Sequence, residues 1–186
     1  METRNFYILI SSIIVGIVII WLFIFAYYYA VVELDANLFQ DPNSVTIRGS
    51  GLNREITLNI TELKSKKYDQ VIDKTFHLMN RFEIEDDKIY SGVSLWSILE
   101  EENLINGEVS TLTFEFWGRD LYHSPKALNL SIVENNPELV IIAYEENGIP
   151  LVDDGPLRSV LDQSVLPDGE YSFQYSVQKL SEIKIE

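Results

Sequence analysis

Residues able to do acid–base or nucleophilic chemistry are scarce in this chain. It has no cysteine and only two histidines, His77 and His123. The missing thiol excludes disulfides, thiolate zinc sites, iron–sulfur ligation and cysteine nucleophiles together. Two histidines without a glycine-rich phosphate loop give neither a nucleophile–base pair nor a P-loop. Side chains suited to an anion are Arg48, Arg81, Arg119, His123, Lys126 and Arg158, scattered through an acidic background. Glu85-Asp86-Asp87 and Asp153-Asp154 could attract a divalent cation. Neither has the alternating ligands and central glycine of an EF-hand loop, and such runs read as solvated faces.

The elements that must carry these residues are mostly strands. Val45–Arg48, Glu55–Leu58, Thr75–Leu78, Thr111–Phe116, Leu139–Tyr144, Tyr171–Val177 and Glu182–Ile185 are short β-rich runs. Thr111 to Phe116 alternates polar and apolar residues, as a half-buried strand does. Leu139 to Ala143 is continuously apolar, which suits a central strand covered on both faces. Ser94 is placed to cap a helix carrying Leu95, Ile98 and Leu99 inward, and a shorter helix begins near Thr61. Pro167-Asp168-Gly169 reads as a turn. Strands outnumber helices without regular alternation, so the predicted class is α+β.

The amino-terminal stretch is different in kind. Residues 6–32 carry no charged side chain, and at ~1.5 Å per residue they outrun the ~30 Å hydrocarbon slab of a bilayer. Tyr7 at one end and Tyr27, Tyr28 and Tyr29 at the other match an aromatic belt. A cleaved signal peptide, the competing reading, has an apolar core of only ~7–15 residues and a small-x-small cleavage site, which is lacking here. The pattern predicts a transmembrane signal anchor in residues 1–33, a connector at 34–43 and one domain at 44–186. Arg4 precedes the span, whereas Glu33, Asp35 and Asp41 follow it. The positive-inside rule then places the domain outside the cytoplasm, as the ectodomain of a single-pass protein of the cell membrane. Ser12 and Gly16 make a small-xxx-small pair, which would permit docking into a membrane complex. The sequons at Asn59 and Asn129 are compatible with export but do not argue for it.

The chain has 29 acidic and 14 basic residues; setting aside Glu2, Arg4 and Glu33 leaves 27 and 13, a net charge of −14. That balance argues against nucleic acid and against an anionic lipid surface as partners. The partners expected are the membrane, through residues 6–32, and a surface protein or small ligand of unspecified identity.

Four further segments occur in an order that carries a likeness. They are Val45-Thr46-Ile47-Arg48-Gly49 with Ile56-Thr57-Leu58 and Glu62-Leu63; Tyr90-Ser91-Gly92-Val93-Ser94-Leu95 with Ile98-Leu99; Gly118-Arg119-Asp120-Leu121-Tyr122; and Ala143-Tyr144-Glu145-Glu146-Asn147-Gly148-Ile149-Pro150-Leu151 with Gly155-Pro156-Leu157-Arg158. From Val45 onward the chain resembles the molybdopterin-binding domain of the sulfite oxidase family of oxidoreductases. The resemblance implies that family's mixed, strand-rich fold. It also implies a cofactor cleft whose rim here would comprise Arg81, Arg119, Tyr122, His123 and Arg158. Arg158 would serve as a clamp on backbone carbonyls or as a phosphate ligand.

Three departures set the chain apart from the catalytic members. Their metal-ligating cysteine falls at about Leu78 or Met79, where an alkyl group or thioether replaces an anionic thiolate; His77 is adjacent. The basic stretch after the Gly-Pro-Leu-Arg segment, which would serve the pterin phosphate, is here Ser164 to Glu170 without a cation. The amino terminus has one arginine rather than the twin-arginine signal of folded export. The expectation is a non-catalytic binding or scaffold domain with no cofactor and no metal site. The alternatives are a molybdenum-cofactor-dependent oxidoreductase with an atypical ligand set, and a subunit recruited to a membrane complex.

Overall fold

The computed structural model describes residues 15–27, 41–152 and 155–186. Met1–Gln40 and Asp41–Glu186 are two compact units. In the first, residues 15–27 form helix α1, on which Trp21 and Phe23 are exposed. The expected transmembrane helix is corrected here. Among the described residues no helix is long and apolar enough to cross a membrane. The rest of the apolar run, with Tyr7, Ser12, Tyr28 and Tyr29, lies outside the described residues, as do positions 34–40 and Asp153-Asp154.

The second unit is α+β. Its elements in chain order are β1 Ser44–Arg48, β2 Ile56–Asn59, α2 Ile60–Leu63, β3 Gln70–Met79, β4 Glu85–Ser94, α3 Leu95–Glu101, β5 Thr113–Gly118, β6 Leu128–Asn129 and α4 Ser131–Asn135. They continue with β7 Val140–Glu146, β8 Ile149–Pro150, β9 Arg158–Leu161, α5 Ser172–Tyr175 and β10 Leu180–Ile185. One sheet has the order β2-β1-β10-β5-β6; the parallel pairing of β1 with β10 sets the two ends of the domain side by side. The other has the order β3-β4-β7, with β8 and β9 sharing the far edge of β7.

Strand β7 shows why its sequence is continuously apolar. Val140, Ile142 and Tyr144 belong to the main core, with Val45, Ile47, Phe114, Phe116, Ile183 and the α3 side chains Leu95, Ile98 and Leu99. Ile141 and Ala143 point the other way, into a smaller core with Val71, Phe76, Leu78, Tyr90 and Val160. Both faces are covered, so neither can be polar.

Local signals set several boundaries. Asn59 accepts from the Thr61 and Glu62 amides while Glu62 accepts from the Asn59 amide, a capping box that starts α2. Ser94 caps α3 through the Ser97 amide. Asn147 and Gly148, at φ 54° and 74°, form the two-residue turn between β7 and β8, as type I′ geometry requires. The predicted strand Tyr171–Val177 is instead helix α5. Its aromatic alternation mimics a strand, but the segment packs across β9 and β3, and the Ser172 hydroxyl accepts the Met79 amide at 2.7 Å.

At the end of α3, Glu102 accepts from Lys67, from the Tyr68 hydroxyl at 2.5 Å and from Arg54 at 2.7 Å. The Lys67 and Tyr68 hydrogen bonds hold its carboxyl down at about 2, from an ordinary value of 4.5. A carboxyl depressed in the folded state contributes stability above its unfolded value, and loses it as pH falls through its folded value. Stability should therefore fall between pH 4.5 and about 2. In Glu102→Gln the slope of unfolding free energy against pH across that window should be shallower, as read from urea titrations. Identical slopes would contradict the assignment.

Candidate functional site

The register of the second sheet assembles a polar group on the face of the smaller core. Tyr90 lies opposite Glu146, Lys88 opposite Phe76, and Arg158 opposite Ala143. The pairing of β4 with β7 shifts between Ser91 and Gly92, which passes over Tyr144. That bulge keeps Ala143 and Glu146 on one face although they are three residues apart. Gly92 permits the close approach, since a Cβ there would meet the Ile142 carbonyl oxygen at 2.5 Å.

Arg158 is buried, and its Nη1 donates to the Tyr90 hydroxyl at 3.0 Å and to Glu146 Oε2 at 3.1 Å. Glu146 Oε1 accepts from Lys88 Nζ at 2.9 Å. Burial pushes the Glu146 carboxyl up, but the Lys88 hydrogen bond and the charges of Lys88 and Arg158 outweigh it and hold it below the usual carboxylate range. Lys88 is raised, chiefly by its hydrogen bond to Glu146. Burial raises the Tyr90 phenol.

Facing this group across a cavity of about 480 Å³ are Asp120 and Tyr122 from the loop after β5, and Phe173, Ser176 and Gln178 from α5 and beyond. The loop is tightly built. The Gly118 amide donates to the Tyr122 carbonyl at 2.7 Å, and the Tyr122 amide to Asp120 Oδ1 at 3.2 Å. Leu121 takes φ 66°, and the Tyr122 hydroxyl donates to the Gln174 carbonyl at 3.0 Å. Burial, then the Asp120 charge, raises the Tyr122 phenol.

Of the five residues proposed from sequence, Tyr122 and Arg158 meet in this cleft, and three lie elsewhere. Arg119 donates to the Asp41 carbonyl at 2.5 Å and the Ser44 carbonyl at 3.2 Å, so it clamps backbone carbonyls. Burial lowers its pKa. His123 stacks on Trp117 at 4.4 Å, with Nδ1 2.8 Å from the Ser124 carbonyl. Arg81 sits in the β3–β4 turn with its guanidinium over the Phe82 ring at 4.8 Å. The sequence reading missed Lys88, Tyr90, Asp120 and Glu146 as site residues. The signal was present for three of them, because Tyr90, Asp120 and Glu146 each lie inside one of the segments that carry the family likeness.

The positions implied for a molybdenum–pterin group do not supply its donors. Leu78 is packed in the smaller core, and the Met79 amide bonds to Ser172. His77 is exposed and its Nδ1 lies 2.6 Å from Asp87, whose hydrogen bond raises the imidazole pKa. Arg81, Arg119, His123 and Arg158 do not gather into one cationic cradle. The residues present do not fit that group. Glu85, Asp86 and Asp87 lie on β4, where successive side chains alternate faces. Among the described residues no three His, Asp or Glu side chains converge as a metal site. In comparisons with known proteins, the chain matches no family and no curated protein.

Removing the carboxylate shared by Lys88 and Arg158 should be costly. Breaking a buried pair costs about 3–5 kcal/mol, and partial exposure of Glu146 screens the loss to about 1–3 kcal/mol. Glu146→Gln should therefore unfold at lower urea concentration with an unchanged m-value. A variant as stable as the parent would contradict this role.

Proposed function

We propose that this domain is a non-catalytic binding module of molybdopterin-binding type, which holds a small ligand in the cleft between Arg158 and Tyr122. The observation that carries the reading is the cleft's geometry, in which Lys88, Glu146, Arg158 and Tyr90 bond to one another across a cavity from Asp120 and Tyr122, and the pKa directions agree with it. Glu146 is moved down, while Lys88, Tyr90 and Tyr122 are moved up. All four shifts lead away from neutrality, whereas a general acid or base works best with a pKa near the operating pH. Lys88, Glu146, Arg158 and Tyr90 are tied into one hydrogen-bonded group, and Tyr122 is tied to the Gln174 carbonyl, which suits recognition.

Two observations support the binding reading. The cavity, about 480 Å³, falls in the ~300–1,000 Å³ range of small-molecule sites. Its lining also draws residues from two of the four segments that resemble the molybdopterin-binding domain, Asp120 with Tyr122 from one and Glu146 with Arg158 from another, and Tyr90 of a third segment is bonded to Arg158.

Molybdenum content of the full-length protein from its native source, measured by plasma mass spectrometry, tests the reading. The expected value is far below one metal per chain. A value near one would overturn it and point to the atypical oxidoreductase.

A further inference from the structure

The charges around the cleft are unevenly matched. On the sheet wall, Glu146 is shared between Lys88 and Arg158, and Lys88 also has Asp86 at 3.8 Å. On the opposite wall, Asp120 Oδ1 accepts the Tyr122 amide, but among the described residues the carboxylate pairs with no Lys, Arg or His. Nearby lining groups are also open. The Ser176 hydroxyl and Gln178 carboxamide make no hydrogen bond among the described residues, while Tyr122 presents a half-exposed ring and Phe173 a partly buried one.

From this asymmetry we propose that the cleft takes a small organic cation. An ammonium or guanidinium head would sit at the Asp120 carboxylate, and an apolar body would lie along Tyr122 and Phe173. The inference rests on the binding reading above and names its ligand class. A cation placed there gains Asp120, the cleft carboxylate that no protein cation neutralises among the described residues. It also gains the face of an aromatic ring, an attraction that strengthens with desolvation. Ser176 and Gln178 add oxygen acceptors for further N–H donors. An anion fares worse, since Lys88 and Arg158 already have the Glu146 carboxylate and a second anion would have to displace it beside Asp120. Among the described residues a bare metal ion would find a single free carboxylate, too few ligands for a hard cation. The net charge of −14 over residues 34–186 raises the local concentration of any cation before it docks.

Three near-isosteric probes separate the possibilities on the full-length chain: 2-phenylethylammonium, neutral 2-phenylethanol and anionic phenylacetate. Affinity is read by calorimetry, and location by hydrogen exchange of segments 118–123 and 172–178. The cation should bind at least tenfold more tightly than the alcohol, protect both segments and weaken with added salt. Asp120→Asn keeps an oxygen for the Tyr122 amide, so the loop survives while the charge is lost; it should abolish the tenfold preference. Tyr122→Leu should weaken the cation more than the alcohol. Equal binding of the alcohol or of phenylacetate in the cleft, or a preference unchanged in Asp120→Asn, would overturn the cationic class and leave the binding reading standing. Protection of neither segment by any of the three probes would overturn both.

Discussion

A guanidinium buried against a sheet must be matched by charge and hydrogen bonds, and Arg158 is such a group. Moving it out of water is expensive unless an anion and further acceptors meet it. Glu146 and Tyr90 do so only because β4, β7 and β9 are held in one register. The bulge at Tyr144 puts Glu146 on the correct face, Gly92 lets two backbones approach, and the Asn147-Gly148 turn reverses the chain directly after Glu146. A slip of one residue in any of these pairings would turn Glu146 to the other face. The floor of the cleft and the fold of the second sheet are therefore set by the same contacts.

The opposite wall depends on a different device. The outer edge of β3 would present unpaired amides, a liability for edge-to-edge association. Two side chains close it: Asp162 accepts the His77 amide at 2.7 Å, and Ser172 accepts the Met79 amide at 2.7 Å. Asp162 also accepts from the Ser164 amide and hydroxyl, which fixes the 3-10 turn Gln163–Val165. The chain from 162 to 178 is thereby pinned across β3, which carries Phe173, Ser176 and Gln178 to the rim. Edge protection and construction of the cleft are one arrangement.

Much of the strand-rich α+β fold was legible in the sequence, because apolar periodicity and caps act locally. The Ser94-capped helix and the doubly buried β7 both read correctly. The acidic run Glu85-Asp86-Asp87 concealed the first half of β4, since that half projects into solvent with β3 and has no apolar alternation to reveal it. Strand β9 escaped because its residues are buried on both sides yet short. The aromatic spacing of Tyr171, Phe173 and Tyr175 suggested a strand where packing made a helix. The site was legible only in part. Arg158 and Tyr122 could be named from their motifs, but their partner Glu146 is specified by cross-strand register, which a linear reading does not contain. Arg119 and His123 were drawn in by proximity to Tyr122 in sequence, and each turns to a structural contact instead.

The central claim is that Glu146 and Arg158 act as a unit that shapes both sheet and cleft. A double-mutant cycle on unfolding free energy with Glu146→Gln, Arg158→Met and their combination tests it most directly. Coupled neighbours depart from additivity by about 0.5–3 kcal/mol, whereas independent sites add within about 0.3–0.5 kcal/mol. The expected result is a double variant less destabilised than the sum of the two single variants by about 1 kcal/mol or more. Simple additivity would mean that the buried arginine does not depend on this carboxylate, and the account of the cleft would fail with it.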